Sequence, residues 1–179
     1  MVYLLLAEGF EEVEALLPLD ILRRGGVSVS TVGITGKTVK GSHGSAVEAD
    51  LLPPEVSEAE IEAVILPGGM PGSLNLDASP EVDRILKAAL ANQAHLAAIC
   101  AAPLVLGRRG LLRGRKAVCY PGFEKELEGA EVPQTRVVTD GGITTAVGMG
   151  AAAEFGFALL SVLKGEDAAK TVRESALFL

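Results

Sequence analysis

The chain has 179 residues, 49% of them hydrophobic and 22% charged, enough for one compact domain with an apolar core. Net charge is −7 and the cations are mostly scattered, which argues against nucleic acid as a partner. The apolar runs fall well short of the roughly 20 residues that span a bilayer, so no membrane partner is expected.

Val2 to Ala7 reads as a strand buried on both faces, with no basic leader before it. Glu11 to Arg24 follows as an amphipathic helix, its apolar stripe carried by Val13, Leu16, Leu17 and Ile21 and its stop by Gly25-Gly26. Val27 to Gly33 alternates like a strand, and Thr38 to Asp50 reads as a small hairpin. Ala63 to Leu66 is a core strand ending in Pro67-Gly68-Gly69. Ser79 or Asp77 can cap a helix over Glu81 to Asn92. His95 to Ile99 is then a strand and Ala101 to Arg109 a helix. Ala117 to Tyr120, Arg136 to Thr139 and Ile143 to Ala146 read as strands, and Gly148 to Leu163 and Glu166 to Ser175 as helices. No repeat or linker interrupts this order, which predicts a single domain over residues 1–179. Alternating strands and helices predict a three-layer α/β sandwich with a largely parallel sheet. Ligands of such folds sit beyond the C-terminal ends of the strands.

One cationic cluster stands out: Arg108, Arg109, Arg113, Arg115 and Lys116. It reads either as an anion patch or as a solvated turn whose cations complement a helix C-terminus. The acidic whole favours the turn. Two cysteines without a secretory leader predict a reducing, cytoplasmic setting. His43 and His95 lie apart from both cysteines and from each other, so no metal site is expected.

Three strand ends carry the chemistry. In residues 95–103, an apolar strand runs directly into the small residues that open a helix, with Cys100 at the junction. This is the pattern of a nucleophile elbow, and N–H groups at a helix start favour thiolate over thiol. The competing reading is an inert buried cysteine. Gly68 and Gly69 allow close backbone approach, and one of them with the Ala101 N–H can bind an oxyanion formed when Cys100 attacks a carbonyl. Their run lacks the Lys-Ser/Thr ending of a phosphate loop, so no nucleotide or other cofactor is expected. Glu14 shares a helix face with Leu17 and Ile21 and should turn inward. A buried carboxyl that keeps its proton can donate to a thiolate and lower that thiol's pKa.

Glu-Glu-Val-Glu at 11–14, Leu-Pro-Gly-Gly at 66–69, Ala-Ala-Ile-Cys-Ala-Ala-Pro at 97–103 and Gly-Met-Gly-Ala-Ala-Ala-Glu-Phe at 148–155 together resemble the ThiJ/PfpI superfamily, in its DJ-one branch, across nearly the whole chain. The resemblance implies a flavodoxin-like sandwich forming a homodimer, with Cys100 as nucleophile or redox-sensing thiol. It implies Glu14 beside the sulfur and oxyanion N–H groups from Gly69 and Ala101. The implied activities are cofactor-free glyoxalase or deglycase chemistry on a small aldehyde or glycated substrate, and protection against oxidative stress.

The chain also departs from that pattern. Tyr120 stands where many relatives carry a histidine, His43 where they often carry an arginine, and Met149 where the usual turn has proline. A cysteine–histidine peptidase dyad therefore lacks its base. Tyr120 is left as either a hydrogen-bond donor to the oxyanion or a pocket wall. Cys119 is left as either a resolving thiol or a core residue, the core reading being favoured. The functional expectation is Cys100-dependent handling of reactive carbonyls. The alternative is a non-enzymatic redox sensor or holdase acting through Cys100 oxidation.

Overall fold

The computed structural model describes residues 1–178. Its central sheet has six strands in the order β2-β1-β5-β6-β8-β7. These are β1 (Val2–Leu6), β2 (Val29–Gly33), β5 (Ala63–Leu66), β6 (His95–Ile99), β7 (Val137–Asp140) and β8 (Ile143–Ala146). Every pairing is parallel except the β7–β8 edge. The separate pair β3 (Thr38–Lys40) and β4 (Ala46–Glu48) forms the expected hairpin.

The strands are buried on both faces, and successive side chains divide between two apolar layers. Leu4, Leu6, Ile65 and Ile99 face α1 (Glu12–Arg24), α5 (Ala152–Lys164) and α6 (Glu166–Ser175). Leu5, Val64, Leu66 and Leu96 face α3 (Pro80–Ala91) and α4 (Pro103–Arg108). The sequence thus builds the three-layer sandwich that it predicts. Ser79 caps α3 by accepting the Val82 N–H, and Pro103 opens α4 where its missing N–H costs no helix bond.

Strand order reverses between β1 and β5. Crevices form at such switch points, beyond the C-terminal strand ends. The loops leaving β1, β5 and β6 all emerge there, which brings together the three segments singled out in the sequence.

Two local expectations change. Residues 117–120 form no strand of the sheet. Their backbone is held by the Ala117 N–H donating to the Glu131 carbonyl beside a bridge at Lys116, by the Val118 N–H donating to Thr145 Oγ1 at 2.8 Å, and by the Tyr120 N–H donating to the Cys100 carbonyl. Their apolar pattern reports burial rather than ladder pairing. A short helix, α2 (Gly72–Asp77), also follows the glycine loop, where no apolar period announces it. The cationic cluster is largely committed to neighbours. Arg108 bonds Asp77 and Glu126, Arg109 bonds Asp77 and Asp83, Arg113 bonds Glu128, and Arg115 donates to the Gly141 carbonyl.

Candidate active site

Cys100 sits one residue beyond β6 with φ +66°, in the left-handed region that side chains other than glycine rarely adopt. Such a backbone costs about 1–3 kcal/mol and persists where its surroundings enforce it. Two hydrogen bonds do so: the Cys100 N–H donates to the Ala146 carbonyl at 2.9 Å, and the Tyr120 N–H donates to the Cys100 carbonyl at 2.7 Å. The turn Ala101-Ala102 then leads into α4, with the Ala102 N–H donating to the Ile99 carbonyl. The side chain is half-buried and packs against the apolar layer on the α1–α5 side.

Glu14 is 1% exposed and faces this sulfur from the first turn of α1. Its Oε2 accepts the Gly68 N–H at 3.0 Å. The Met149 N–H and the Cys100 thiol lie close enough to bear on the ionisation of this carboxyl. Glu11, at the helix N-cap, accepts the Glu14 N–H at 2.7 Å and adds a second negative charge nearby. Burial is the largest influence and pushes the Glu14 carboxyl up to about 7.

The N–H groups of Gly69 and Ala101 are directed at Cys100 and favour its thiolate. Burial outweighs them. Together with the charge of ionised Glu14, it pushes the thiol up to about 12. This corrects the expected simple depression of the thiol pKa. Two groups in one hollow titrate as a pair, giving up one proton near neutrality and the second far above it. In the singly charged state, a thiolate exists where Glu14 holds the remaining proton.

Glycine is required twice in this arrangement. A Cβ on Gly68 would overlap Glu14 Oε2 and lie 2.5 Å from the Cys100 Cβ. Gly69 has φ +93°, and a Cβ there would lie 2.5 Å from the Gly9 carbonyl oxygen. The loops after β1 and β5 are further locked by the Glu11 N–H donating to the Gly68 carbonyl at 2.9 Å.

The structure brings Cys100, Glu14, Gly68, Gly69 and Ala101 together, as the sequence predicts. Tyr120 lies beside them, largely exposed. Its ring reaches to 3.3 Å of the position that a Cβ on Gly148 would take, and that position is 3.8 Å from Glu14 Oε1. The histidines stand elsewhere. His43 is exposed and its Nδ1 meets Glu12 Oε2 at 3.0 Å. His95 Nε2 meets Thr144 Oγ1 at 2.8 Å, at the far end of β6. Glu11, Glu12 and His43 are the cluster of potential metal ligands among the described residues. Glu12 already accepts from the His43 and Ser45 N–H groups, and Glu11 caps Glu14. The roles of the Met149 N–H and of Glu11 were not legible in the sequence, because each depends on a contact between distant elements or on a cap geometry.

Cys119 is 5% exposed and packs in the opposite apolar layer, on the α3–α4 side. This burial fits the core reading of Cys119.

Against this geometry, the sequence model of the DJ-1/PfpI family matches residues 1–162. The chain belongs to the DJ-1/PfpI family. A solved relative, oxidized DJ-1 of Toxoplasma gondii, superimposes with a TM-score of 0.93 at 36% identity, covering 98% of this chain and 97% of that one. DJ-1 homolog B of Arabidopsis thaliana is 36% identical over 93% of this chain, but the match spans only 39% of the plant protein. This chain thus corresponds to about two fifths of that relative. A glutathione-independent glyoxalase of Caenorhabditis elegans is 31% identical, covering 92% of this chain and 88% of its own. A deglycase of Pyrococcus horikoshii is 34% identical over 78% of this chain and 85% of its own. The DJ-1/PfpI family therefore includes glyoxalases and deglycases. Among the described residues, no helix is long and apolar enough to cross a membrane.

Proposed function

We propose that the protein is a cofactor-free enzyme that converts small α-oxoaldehydes, such as methylglyoxal, to hydroxy acids through Cys100 without glutathione. The observation that carries this reading is the buried Glu14 carboxyl, fixed beside Cys100 by the Gly68 N–H, with its own ionisation held near neutrality.

The Cys100 thiolate adds to the aldehyde carbon, forming a C–S bond. The carbonyl electron pair goes to oxygen, which meets the N–H groups of Gly69 and Ala101 and takes a proton to give a hemithioacetal. Glu14, as carboxylate, removes the hydrogen from that carbon and returns a proton to the neighbouring carbon, while the hydroxyl proton passes to the neighbouring carbonyl oxygen through the enediol. The result is a thioester of the 2-hydroxy acid. Water then cleaves the C–S bond, releasing the hydroxy acid and restoring the thiol. The sum is the α-oxoaldehyde plus one water.

The same nucleophile can attack carbonyl adducts on proteins, the deglycase form of this reading. The setting proposed is cytoplasmic protection against reactive carbonyls and oxidative stress, by a homodimer. Exposed Val13 and Leu16 on α1 are consistent with a covered helix face.

A second reading is favoured by the same N–H groups: oxidation of Cys100 to sulfinate, which would accept from Gly69 and Ala101, in a redox sensor or holdase. Lactate formation from methylglyoxal by wild-type and Cys100→Ser protein, without glutathione, tests the enzyme. Absence of Cys100-dependent turnover would sink it.

A further inference from the structure

Three of the exposed large apolar side chains belong to residues next to the backbone around the Cys100–Glu14 pair. Met70, Tyr120 and Met149 are 45%, 51% and 56% exposed, and each lies in or directly beside the loops around the pair. Met149 directly follows Gly148, where a Cβ would lie 3.8 Å from Glu14 Oε1, and Met70 directly follows Gly69, whose N–H favours the Cys100 thiolate. The Tyr120 N–H donates to the Cys100 carbonyl, and its ring stands across Gly148 from the Glu14 carboxyl. None of the three is needed in solvent for the backbone bonds, which any residue except proline could make. Thioethers are polarizable and adaptable, and an aromatic ring is suited to flat apolar groups.

The charge around this surface has one sign. Glu11, Glu12 and Glu14 occupy the start of α1. Arg136 approaches from the β7 side, but its guanidinium donates to the Gly150 carbonyl and pairs with Glu154 at 3.4 Å. Among the described residues, no lysine or arginine bonds the Cys100–Glu14 pair or the N–H groups that hold it. A substrate tail bearing carboxylate or phosphate would meet a negative field without a clamp.

We propose that Met70, Tyr120 and Met149 form a specificity rim selecting neutral carbonyl compounds with an aromatic or bulky apolar substituent over anionic ones. The proposal rests on the carbonyl chemistry assigned to Cys100 and adds the substrate class that the site prefers.

Two measurements test it. In turnover, phenylglyoxal should exceed methylglyoxal in kcat/KM by about tenfold, the scale of discrimination that modest apolar contact supplies. In the second, Cys100 is alkylated with phenacyl bromide, iodoacetamide and iodoacetate, each rate being divided by that of free cysteine and the site read by mass spectrometry. Phenacyl bromide should gain several-fold on iodoacetamide, and iodoacetate should lose several-fold. The variants Met70→Gln, Tyr120→Ser and Met149→Gln, made singly and together, keep the backbone donors and should bring the aromatic ratio toward that of free cysteine. A wild-type ratio equal to that of free cysteine, or an unchanged ratio in the triple variant, overturns the proposal. Selective alkylation without turnover of either aldehyde would instead refute the enzyme reading and leave the rim standing.

Discussion

The Gly68 N–H donates to Glu14 Oε2 at 3.0 Å, and the bare Cα of Gly68 fills the space between that carboxyl and the Cys100 Cβ. One residue thus fixes the acid and sets its distance from the sulfur. Gly68→Ala should move Glu14 or Cys100, since neither neighbour is the free end of an exposed chain. Overpacking of this kind costs about 1–3 kcal/mol. Loss of activity should exceed what that destabilisation explains. The expected result is at least a tenfold drop in Cys100 alkylation rate in protein that still unfolds cooperatively. An unchanged rate would mean that the carboxyl's position is not set by Gly68.

The two thiols should respond differently to oxidant. Cys100 is half-buried and receives two N–H donors, whereas Cys119 is buried in the opposite layer, its thiol pushed up to about 12 mainly by burial. Mild peroxide should add oxygens to Cys100 first, and no bond between residues 100 and 119 should form. Cys119→Ser should leave the product pattern at Cys100 unaltered. Mass spectrometry showing Cys119 oxidised first, or a 100–119 disulfide, would refute this separation.

Glu14 should also make stability depend on pH. Its carboxyl is raised from an ordinary 4.5 to about 7, so the folded state holds a proton that the unfolded state has lost between those values. The contribution of Glu14 to stability is therefore greatest below 4.5, falls as pH rises through that window, and stays lost above about 7. The difference corresponds to about 3 kcal/mol. Glu14→Gln removes the titration. Urea unfolding of both proteins should show the variant gaining about 2–3 kcal/mol on wild type between about pH 4.5 and pH 8. A constant difference across that range would contradict the burial argument.

Cys100 and Glu14 were legible because each claim needed only local information. A strand running into small residues places a thiol at a turn, and a helical spacing from Leu17 and Ile21 turns a carboxyl inward. The parallel sheet followed for the same reason, since uninterrupted apolar runs such as Val2 to Ala7 only suit strands covered on both sides. Residues 117–120 misled because a buried apolar run looks the same whether or not a neighbour completes its ladder. Here β7 pairs antiparallel with β8 and occupies that edge. The sign of the Cys100 shift was not legible either. Donors from Gly69 and Ala101 could be anticipated from the turn, but the burial that outweighs them is a property of the assembled layers.

The paired titration leads to a test of how Glu14 governs the thiol. A lone thiol gains nucleophile about tenfold per pH unit until its own pKa, near 8.5 in a free cysteine. In this site, the first proton leaves the pair near pH 7, and the charge is shared between oxygen and sulfur in a fixed proportion. Further thiolate requires a second negative charge beside ionised Glu14, which is held off to about 12. Alkylation of Cys100 by iodoacetamide should therefore rise with pH up to about 7 and then level off through pH 9 or so. Glu14→Gln has no carboxylate to share or repel the charge, so its rate should follow a single thiol titration without that plateau. A wild-type rate that climbs tenfold per pH unit from about 7 to about 9 would show that Cys100 titrates alone. It would also remove Glu14 from the proton-transfer role assigned to it.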